Sequence, residues 1–214
     1  MGPFSEVQDE QRISLPSLGG KNYVLVVQDE YSRYCWVRIL TRKSDATDAI
    51  VRILNLLRTQ FPQHIIRRLH SDGGGEFVNP CMDEYLAGHG IERTYTTRDK
   101  PQHNGKVERL NQSLHLLVRL MLTASSGPQS LWGEAMVHAG RVWNATPLKV
   151  LDGVTPYERL TGLSPDHVQS KLKVFGCNAF YLLSKNARGK FQSCMAPGIW
   201  VGYSTVQNAH CDQS

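Results

Sequence analysis

Two short runs rich in β-branched and aromatic residues limit most strongly what this chain can fold into. They are YVLVVQ at Tyr23–Gln28 and CWVRIL at Cys35–Leu40, and the polar DEYSR segment between them is short enough for a hairpin. From position 44 the apolar residues instead recur at spacings of three and four, which predicts a core-facing helix that ends by Pro62. The run IIRRLH at Ile65–His70 then predicts a third strand. This order of strand, strand, helix and strand predicts a mixed α/β layer structure.

The second half of the chain is predicted to begin with a short strand at Ile91–Tyr95 and the polar loop TRDKPQHNG. A long helix over Lys106–Thr123 follows, with one apolar stripe along its length. At about 100° per residue, the side chains of Glu108, Gln112, His115 and Arg119 project from the side opposite that stripe. A further helix is predicted over Ser130–Trp143, with its tryptophans in the core.

Composition describes an ordinary globular protein with a basic surplus. The 214 residues are 41% hydrophobic and 20% charged, with a formal net charge of +5 that is compatible with a polyanionic partner. The five cysteines form no CxxC pair, which argues against a zinc site or a disulfide framework. No apolar run reaches the roughly 20 residues that span a bilayer, and no signal peptide is readable, so we expect an intracellular protein without a membrane partner.

Two acidic residues stand where strand and helix patterns change. Asp72, within LHSDGGGEF, follows the predicted third strand, and Glu108 lies in the first turn of the long helix. If that helix packs beside the sheet, both carboxylates can converge at the strand's carboxyl end and bind Mg²⁺. The sequence leaves two ordinary alternatives open. Asp72 followed by glycine is common turn chemistry, and Glu108 can simply balance the positive end of its helix.

Cations and amides surround these carboxylates in the sequence. They provide a surface that can grip the phosphates of DNA without reading its sequence. The alternative is a solvated loop. The residues that we expect to contact DNA are Lys100, Gln102, Asn104, Lys106, Arg109, Gln112, His115 and Arg119, with Arg93 and Arg98 beside them.

Three segments together resemble the integrase core of copia-type long-terminal-repeat retrotransposon Pol polyproteins. They are SLGGKNYVLVVQDEYSRY, HSDGGGEF and KPQHNGKVERLN. TPYERLTG resembles the segment just downstream in that family, and KVFGCNAFYLL with GIWVGYS is similar to the start of the Src-homology-3-like β-barrel that follows. The resemblance covers residues 2–204 and implies an RNase H-like fold, a mixed five-stranded sheet flanked by helices, with a small partial β-barrel at the C-terminus.

The resemblance also implies an activity. Family members process and join DNA ends by in-line attack of water or a 3′-hydroxyl on a phosphodiester, with two Mg²⁺ or Mn²⁺ ions held by an Asp, Asp, Glu triad. Asp72 matches the second aspartate and Glu108 matches the glutamate, so both are the expected catalytic and metal-binding residues. DNA is the expected partner, self-association is expected by analogy, and no small-molecule substrate is expected. The family acts in the nucleus or in virus-like particles.

The first aspartate of the triad falls outside this sequence. In the family it lies two residues before the position of Met1, so the sequence here starts inside the first catalytic strand. We expect an Asp codon two codons upstream in frame, and essentially no strand transfer by the chain as written. Asp9, in an expected polar loop, and Asp29, beside a turn with Ser32, are predicted to be structural. Gly73 also departs from the family, which usually has Asn there.

The resemblance divides the chain into three predicted parts. Residues 1–165 form the catalytic core, residues 166–204 the partial β domain and residues 205–214 an unstructured tail. The zinc-binding amino-terminal region of the family is absent from this sequence. Two other functions stay open: a non-catalytic nucleic-acid-binding remnant of a mobile element, and an RNase H-like nuclease that acts on another polynucleotide.

Overall fold

The computed structural model describes residues 5–71, 74, 77–95, 105–183, 194–203 and 210–213. For residues 5–12, 105–106 and 210–213 it describes the backbone alone. Among these residues, no helix has both the length and the apolar composition that a membrane crossing requires.

A mixed five-stranded sheet organises the first half of the chain. Its strands are β1 (Ser5–Arg12), β2 (Tyr23–Asp29), β3 (Cys35–Leu40), β4 (Arg68–Ser71) and β5 (Glu92–Tyr95), in the spatial order β3-β2-β1-β4-β5. The first three strands are antiparallel neighbours, whereas β4 runs parallel to both β1 and β5. This is the mixed sheet that the sequence predicts.

Six α-helices accompany the sheet in the described part of the chain. They are α1 (Ala46–Gln60), α2 (Pro80–Gly88), α3 (Gly105–Ser125), α4 (Trp132–Ala145), α5 (Pro156–Thr161) and α6 (Asp166–Gln169). Alternating residues of β2 and β3 face two separate hydrophobic clusters. One cluster contains Leu25 with the buried faces of α1 and α2, and the other contains Val26 with those of α3 and α4. The sheet therefore lies between two helical layers, as predicted from the resemblance.

A second sheet follows the helices. Strands β6 (Asn178–Leu182), β7 (Met195–Tyr203) and β8 (His210–Gln213) pair antiparallel in that order. The prediction of an unstructured tail over residues 205–214 is wrong at His210–Gln213, because backbone pairing with β7 makes this segment a strand. Residues 205–209 and 214 lie outside the described residues. A closed barrel stays a prediction.

The second sheet packs on the layer of α3 and α4. Phe175, just before β6, and Val201 of β7 belong to the same buried cluster as Leu114 of α3 and Met136 of α4. The boundary near residue 165 stays a prediction, but the hydrophobic core is continuous across it.

An aromatic cluster marks the contact between α4 and β7. The His138 ring on α4 lies 5.0 Å from the Trp200 ring, centroid to centroid, and 6.0 Å from the ring of Phe175. The Arg141 guanidinium lies 4.4 Å from the centroid of the Tyr203 ring. Ring contacts and one cation–π contact thus add to the aliphatic packing between helix α4 and the second sheet.

Candidate metal and DNA site on helix α3

Glu108 lies in the first turn of α3 and is exposed to solvent. Its neighbours Val107 and Leu110 are buried, so the helix turns its apolar side to the core and the Glu108 carboxylate to the outside. Within the described part of the chain, the structure shows no ion pair for this carboxylate. Glu108 thus faces solvent, and the predicted orientation of the helix is confirmed.

Asp72 lies outside the described residues. The structure does show where the chain leads to it, because β4 ends at Ser71 between its parallel neighbours β1 and β5. Helix α3 packs against β1, the strand beside β4. The helix that carries Glu108 and the strand that precedes Asp72 are therefore both neighbours of β1.

The exposed face of α3 continues from Glu108 along the helix. Arg109, Gln112 and Arg119 are exposed and His115 is half-buried. Burial, followed by the charge of Arg119, lowers the pKa of His115 from its ordinary value. At neutral pH the positive charge on this face therefore comes from the two arginines.

The other predicted DNA contacts divide into two groups. Lys100, Gln102 and Asn104 lie outside the described residues, as does Arg98, and Lys106 belongs to α3 although its side chain is not described. The prediction that Arg93 lies among the DNA contacts is wrong. Its side chain is only 9% exposed and forms an ion pair with Asp83 of α2. This arginine ties β5 to α2, so we remove it from the candidate phosphate contacts.

Asp29 and Asp9, the two acidic residues predicted to be structural, lie in different environments. Asp29 is buried, and its Oδ2 accepts hydrogen bonds from the Ser32 backbone N–H at 2.8 Å and from the Ser32 hydroxyl at 2.6 Å. Burial raises its pKa, although both of these bonds lower it. The predicted structural role at this turn is confirmed. Asp9, in contrast, lies within β1 and not in a loop, at an irregularity between Gln8 and Gln11 in the pairing of β1 with β2.

Two features near the site were missed by the sequence reasoning. Asn111, one turn from Glu108, is a buried polar residue in α3. His70 Nδ1 is 2.9 Å from the Thr94 hydroxyl, a hydrogen bond between β4 and β5. The position of Asn111 within the segment KVERLN was a usable signal, whereas the His70–Thr94 pair depends on strand pairing that no local pattern reveals.

The described residues supply some, but not all, of the ligands that a divalent cation needs. In the described part of the chain, no group of three or more His, Cys, Asp or Glu side chains could hold a metal ion. Glu108 offers an exposed carboxylate at the start of a helix, and oxygen is the ligand that Mg²⁺ prefers. A hard oxygen-binding cation is thus compatible with this position, together with oxygen ligands from outside the described residues.

Part of the chain matches a known protein family. Residues 8–101 match the model of the integrase core domain. The chain therefore contains an integrase core domain. The match includes strands β2 to β5 and the segment with Asp72, and it ends just before α3.

The chain is similar to segments of retrotransposon polyproteins. It is 35% identical over 191 residues to the "Retrovirus-related Pol polyprotein from transposon TNT 1-94" of Nicotiana tabacum, covering 89% of this chain and 14% of that protein. It is 32% identical over 199 residues to the corresponding polyprotein from transposon RE1 of Arabidopsis thaliana, covering 92% of this chain and 13% of the relative. The chain thus spans about a seventh of the length of these relatives.

A solved structure shows the same fold for this integrase core. The HTLV-2 integrase catalytic core domain, solved in complex with magnesium in a trimeric form, superposes with a TM-score of 0.55 at 17% identity. The match covers 72% of this chain and 93% of that one. The predicted RNase H-like integrase fold is thereby confirmed.

Proposed function

We propose that this integrase core serves DNA integration by metal-dependent strand transfer on phosphodiesters, a reaction that we expect only of a form with the full set of metal-binding carboxylates. Asp72 and Glu108 are two of its metal-binding carboxylates. The observation that carries the proposal is the exposure of Glu108 on α3, which packs on β1 beside the strand that leads to Asp72. The integrase relatives and the magnesium-bound neighbour support it.

The proposed cation is Mg²⁺ or Mn²⁺, as two ions. When bound, such ions activate the attacking oxygen and stabilise the leaving oxygen of the phosphodiester. The chain's own residues supply anionic oxygens for these ions. Glu108 stands at the start of a long helix whose opposite face is anchored by Val107, Leu110 and Leu114 in the core. Anchoring of this kind keeps a ligand in place before the metal arrives.

The proposed DNA surface follows α3 away from Glu108. Arg109 and Arg119 are exposed, and no carboxylate pairs with either within the described residues. Their guanidinium groups can donate paired hydrogen bonds to phosphate oxygens. Gln112 and His115 lie between them on the same face, and Lys100, Gln102, Asn104 and Lys106 extend the proposed surface toward the preceding loop. This surface would position DNA without selecting its sequence.

Self-association and location complete the proposal. The magnesium-bound neighbour is described in a trimeric form, and the proposed reaction joins DNA ends, so we propose that this domain also works as an assembly of copies. We expect it to act inside the cell, in the nucleus or in a virus-like particle.

Metal binding provides the test. We would titrate the purified chain with Mn²⁺ and follow the free ion by electron paramagnetic resonance. Glu108→Gln and Asp72→Asn should each weaken Mn²⁺ binding at least about tenfold, because each removes an anionic ligand. Glu84→Gln, an exposed acid on α2 in the opposite helical layer, is the matched control and should change nothing. Unchanged affinity in both site variants would refute the proposed metal site.

Strand transfer itself would be measured on a form extended upstream to include the expected first aspartate. Joined DNA products should require Mg²⁺ or Mn²⁺ and should disappear in Glu108→Gln. Products that persist in Glu108→Gln would contradict the assignment of this residue. Cleavage of RNA–DNA hybrids in place of DNA joining would favour a nuclease.

A further inference from the structure

A second concave site lies away from Glu108. It is a cavity of about 520 Å³ between α4, strand β3, the loop that joins β1 to β2, and the end of β7. None of its lining residues belongs to α3. The residues that matter for its chemistry are Lys21, Arg38, Glu134, His138, Arg141 and Tyr203.

Two buried acceptor atoms that lack partners belong to residues that line the cavity. The Oε2 atom of Glu134 and the Nδ1 atom of His138 are both shielded from solvent, and neither has a hydrogen-bond partner in the described structure. The two residues stand one helical turn apart on α4, so their side chains lie on the same side of the helix. Leaving a buried polar atom unsatisfied is unfavourable, and this pair therefore points to a ligand that brings hydrogen-bond donors.

The protonation state of His138 determines whether its unpartnered Nδ1 donates or accepts a hydrogen bond. The residue is only 3% exposed, and burial with the charge of Arg141 lowers its pKa to about 4. The ring is therefore neutral at pH 7 and carries one donor and one acceptor nitrogen. It also makes a hydrogen bond with the backbone of Lys173 that raises the pKa, which uses the donor nitrogen. Nδ1 is thus left as an acceptor, like the oxygen of Glu134.

The rim of the cavity is positively charged, in contrast to the hydrogen-bond acceptors inside. Lys21, Arg38 and Arg141 line it and are exposed, and within the described residues none of them forms an ion pair with a carboxylate. The rim therefore attracts anions, and a cationic amine is repelled from it despite the acceptors inside. Val37, Ile39, Val201 and the ring of Tyr203 supply apolar wall between the rim and the acceptors.

We propose that this cavity binds one unpaired cytosine or adenine nucleotide through the exocyclic amino group of its base. The amino group donates to Glu134 Oε2 and His138 Nδ1, the base lies against the apolar wall, and the phosphate is held by the three cations at the rim. Carboxylate acceptance from the cytosine amino group is established chemistry of base recognition, and the volume lies in the range of small-ligand sites. The inference extends the proposed function, since single-stranded DNA would be the source of the nucleotide.

The test compares short homopolymers by fluorescence anisotropy in EDTA, so that the proposed metal site does not contribute. Labelled oligodeoxycytidylate and oligodeoxyadenylate should bind about tenfold more tightly than oligodeoxythymidylate, which has no amino group. Glu134→Met keeps the length of the side chain but removes both acceptor oxygens, so it should remove that preference while thymidylate binding changes little. Glu84→Met on the opposite helical layer is the control and should keep the preference.

The rim is tested separately. Replacing Arg38 and Arg141 together by Ala should weaken all three oligonucleotides at least about tenfold, with Arg52→Ala on α1 as the exposed control. Equal binding of the three homopolymers by the unmodified chain, or a preference that survives Glu134→Met, would overturn the inference. The Mn²⁺ titration of the Asp72 and Glu108 variants is independent of these outcomes, so this site can fail while the proposed function stands.

Discussion

Asn144 satisfies both backbone polar groups of Cys35. Its Oδ1 accepts from the Cys35 N–H at 2.8 Å, and its Nδ2 donates to the Cys35 carbonyl at 2.8 Å. Cys35 begins β3, which is an edge strand of the five-stranded sheet. The amide on α4 thus takes the place of a neighbouring strand at this point, which protects the edge and fixes the helix against it.

We expect Asn144→Ala to lower the free energy of unfolding by about 2–4 kcal/mol, because it leaves two buried backbone groups unpaired. Asn144→Asp keeps the acceptor but turns a buried carboxylate oxygen toward the Cys35 carbonyl, so it should destabilise the fold at least as much as Asn144→Ala. Urea unfolding measures the effect. Asn178→Ala, at an exposed position of β6, is the control and should change stability by less than about 0.5 kcal/mol. Equal stabilities of the two alanine variants would contradict this role.

Gly140 allows α4 to approach β3 closely. A Cβ at this position would lie 2.7 Å from Cγ2 of Val37, whereas a Cβ on Gly88 at the end of α2 would meet nothing within 4 Å. Gly140→Ala should therefore destabilise the fold by about 1–3 kcal/mol, and Gly88→Ala should be neutral or slightly stabilising. Thermal and urea unfolding measure both. Adding Val37→Ala should relieve the clash in part. If the changes in unfolding free energy of the two single variants simply add in the double variant, the proposed clash is contradicted.

His138 predicts an acid-sensitive contact between α4 and the second sheet. Its folded pKa of about 4 lies below the ordinary value of 6.5, so the folded state prefers the neutral ring. This contribution is fully present above about pH 6.5 and is lost as the pH falls toward 4, by at most about 3 kcal/mol. Unfolding free energies from pH 7 to 4 should fall less steeply for His138→Gln than for the unmodified chain. Parallel pH profiles would contradict the prediction.

The exposed face of α3 predicts a specific salt dependence. Arg109→Ala and Arg119→Ala should each weaken duplex DNA binding and reduce the slope of log affinity against log salt by about one. His115→Asn should leave the slope unchanged at pH 7.5, because the lowered pKa of His115 keeps its ring neutral there. Arg52→Ala, on the opposite layer, is the control. A reduced slope for Arg52→Ala would show that binding is not localised to α3.

Strong local patterns predicted their elements well. The β-branched runs of β2 and β3 and the apolar spacing of α1 appear in the structure, because each pattern matches a burial that the fold enforces. The start of β4 was predicted three residues early: Ile65 is apolar and yet 64% exposed, since the strand starts at Arg68, where pairing with β5 begins. Composition alone does not reveal where a neighbouring strand begins.

Polar strands were harder to find. SEVQDEQR reads as a polar segment but forms β1 between β2 and β4, and β8 pairs with β7 without a strong pattern of its own. In both cases backbone pairing with other strands overrides local propensity. The same holds at the site. The helical period placed Glu108 outward, but the burial of Arg93 depends on its ion pair with Asp83 in another element.

Phe175 and Val201 share a hydrophobic cluster with Leu114 and Met136, so the C-terminal strands help to complete the interior of the first half. Excising the chain at residue 165 would strip apolar cover from α3 and α4 and would favour aggregation of the shortened product. A recombination event that exchanged only residues 1–165 between related retrotransposon polyproteins would therefore have to preserve the packing of these four side chains.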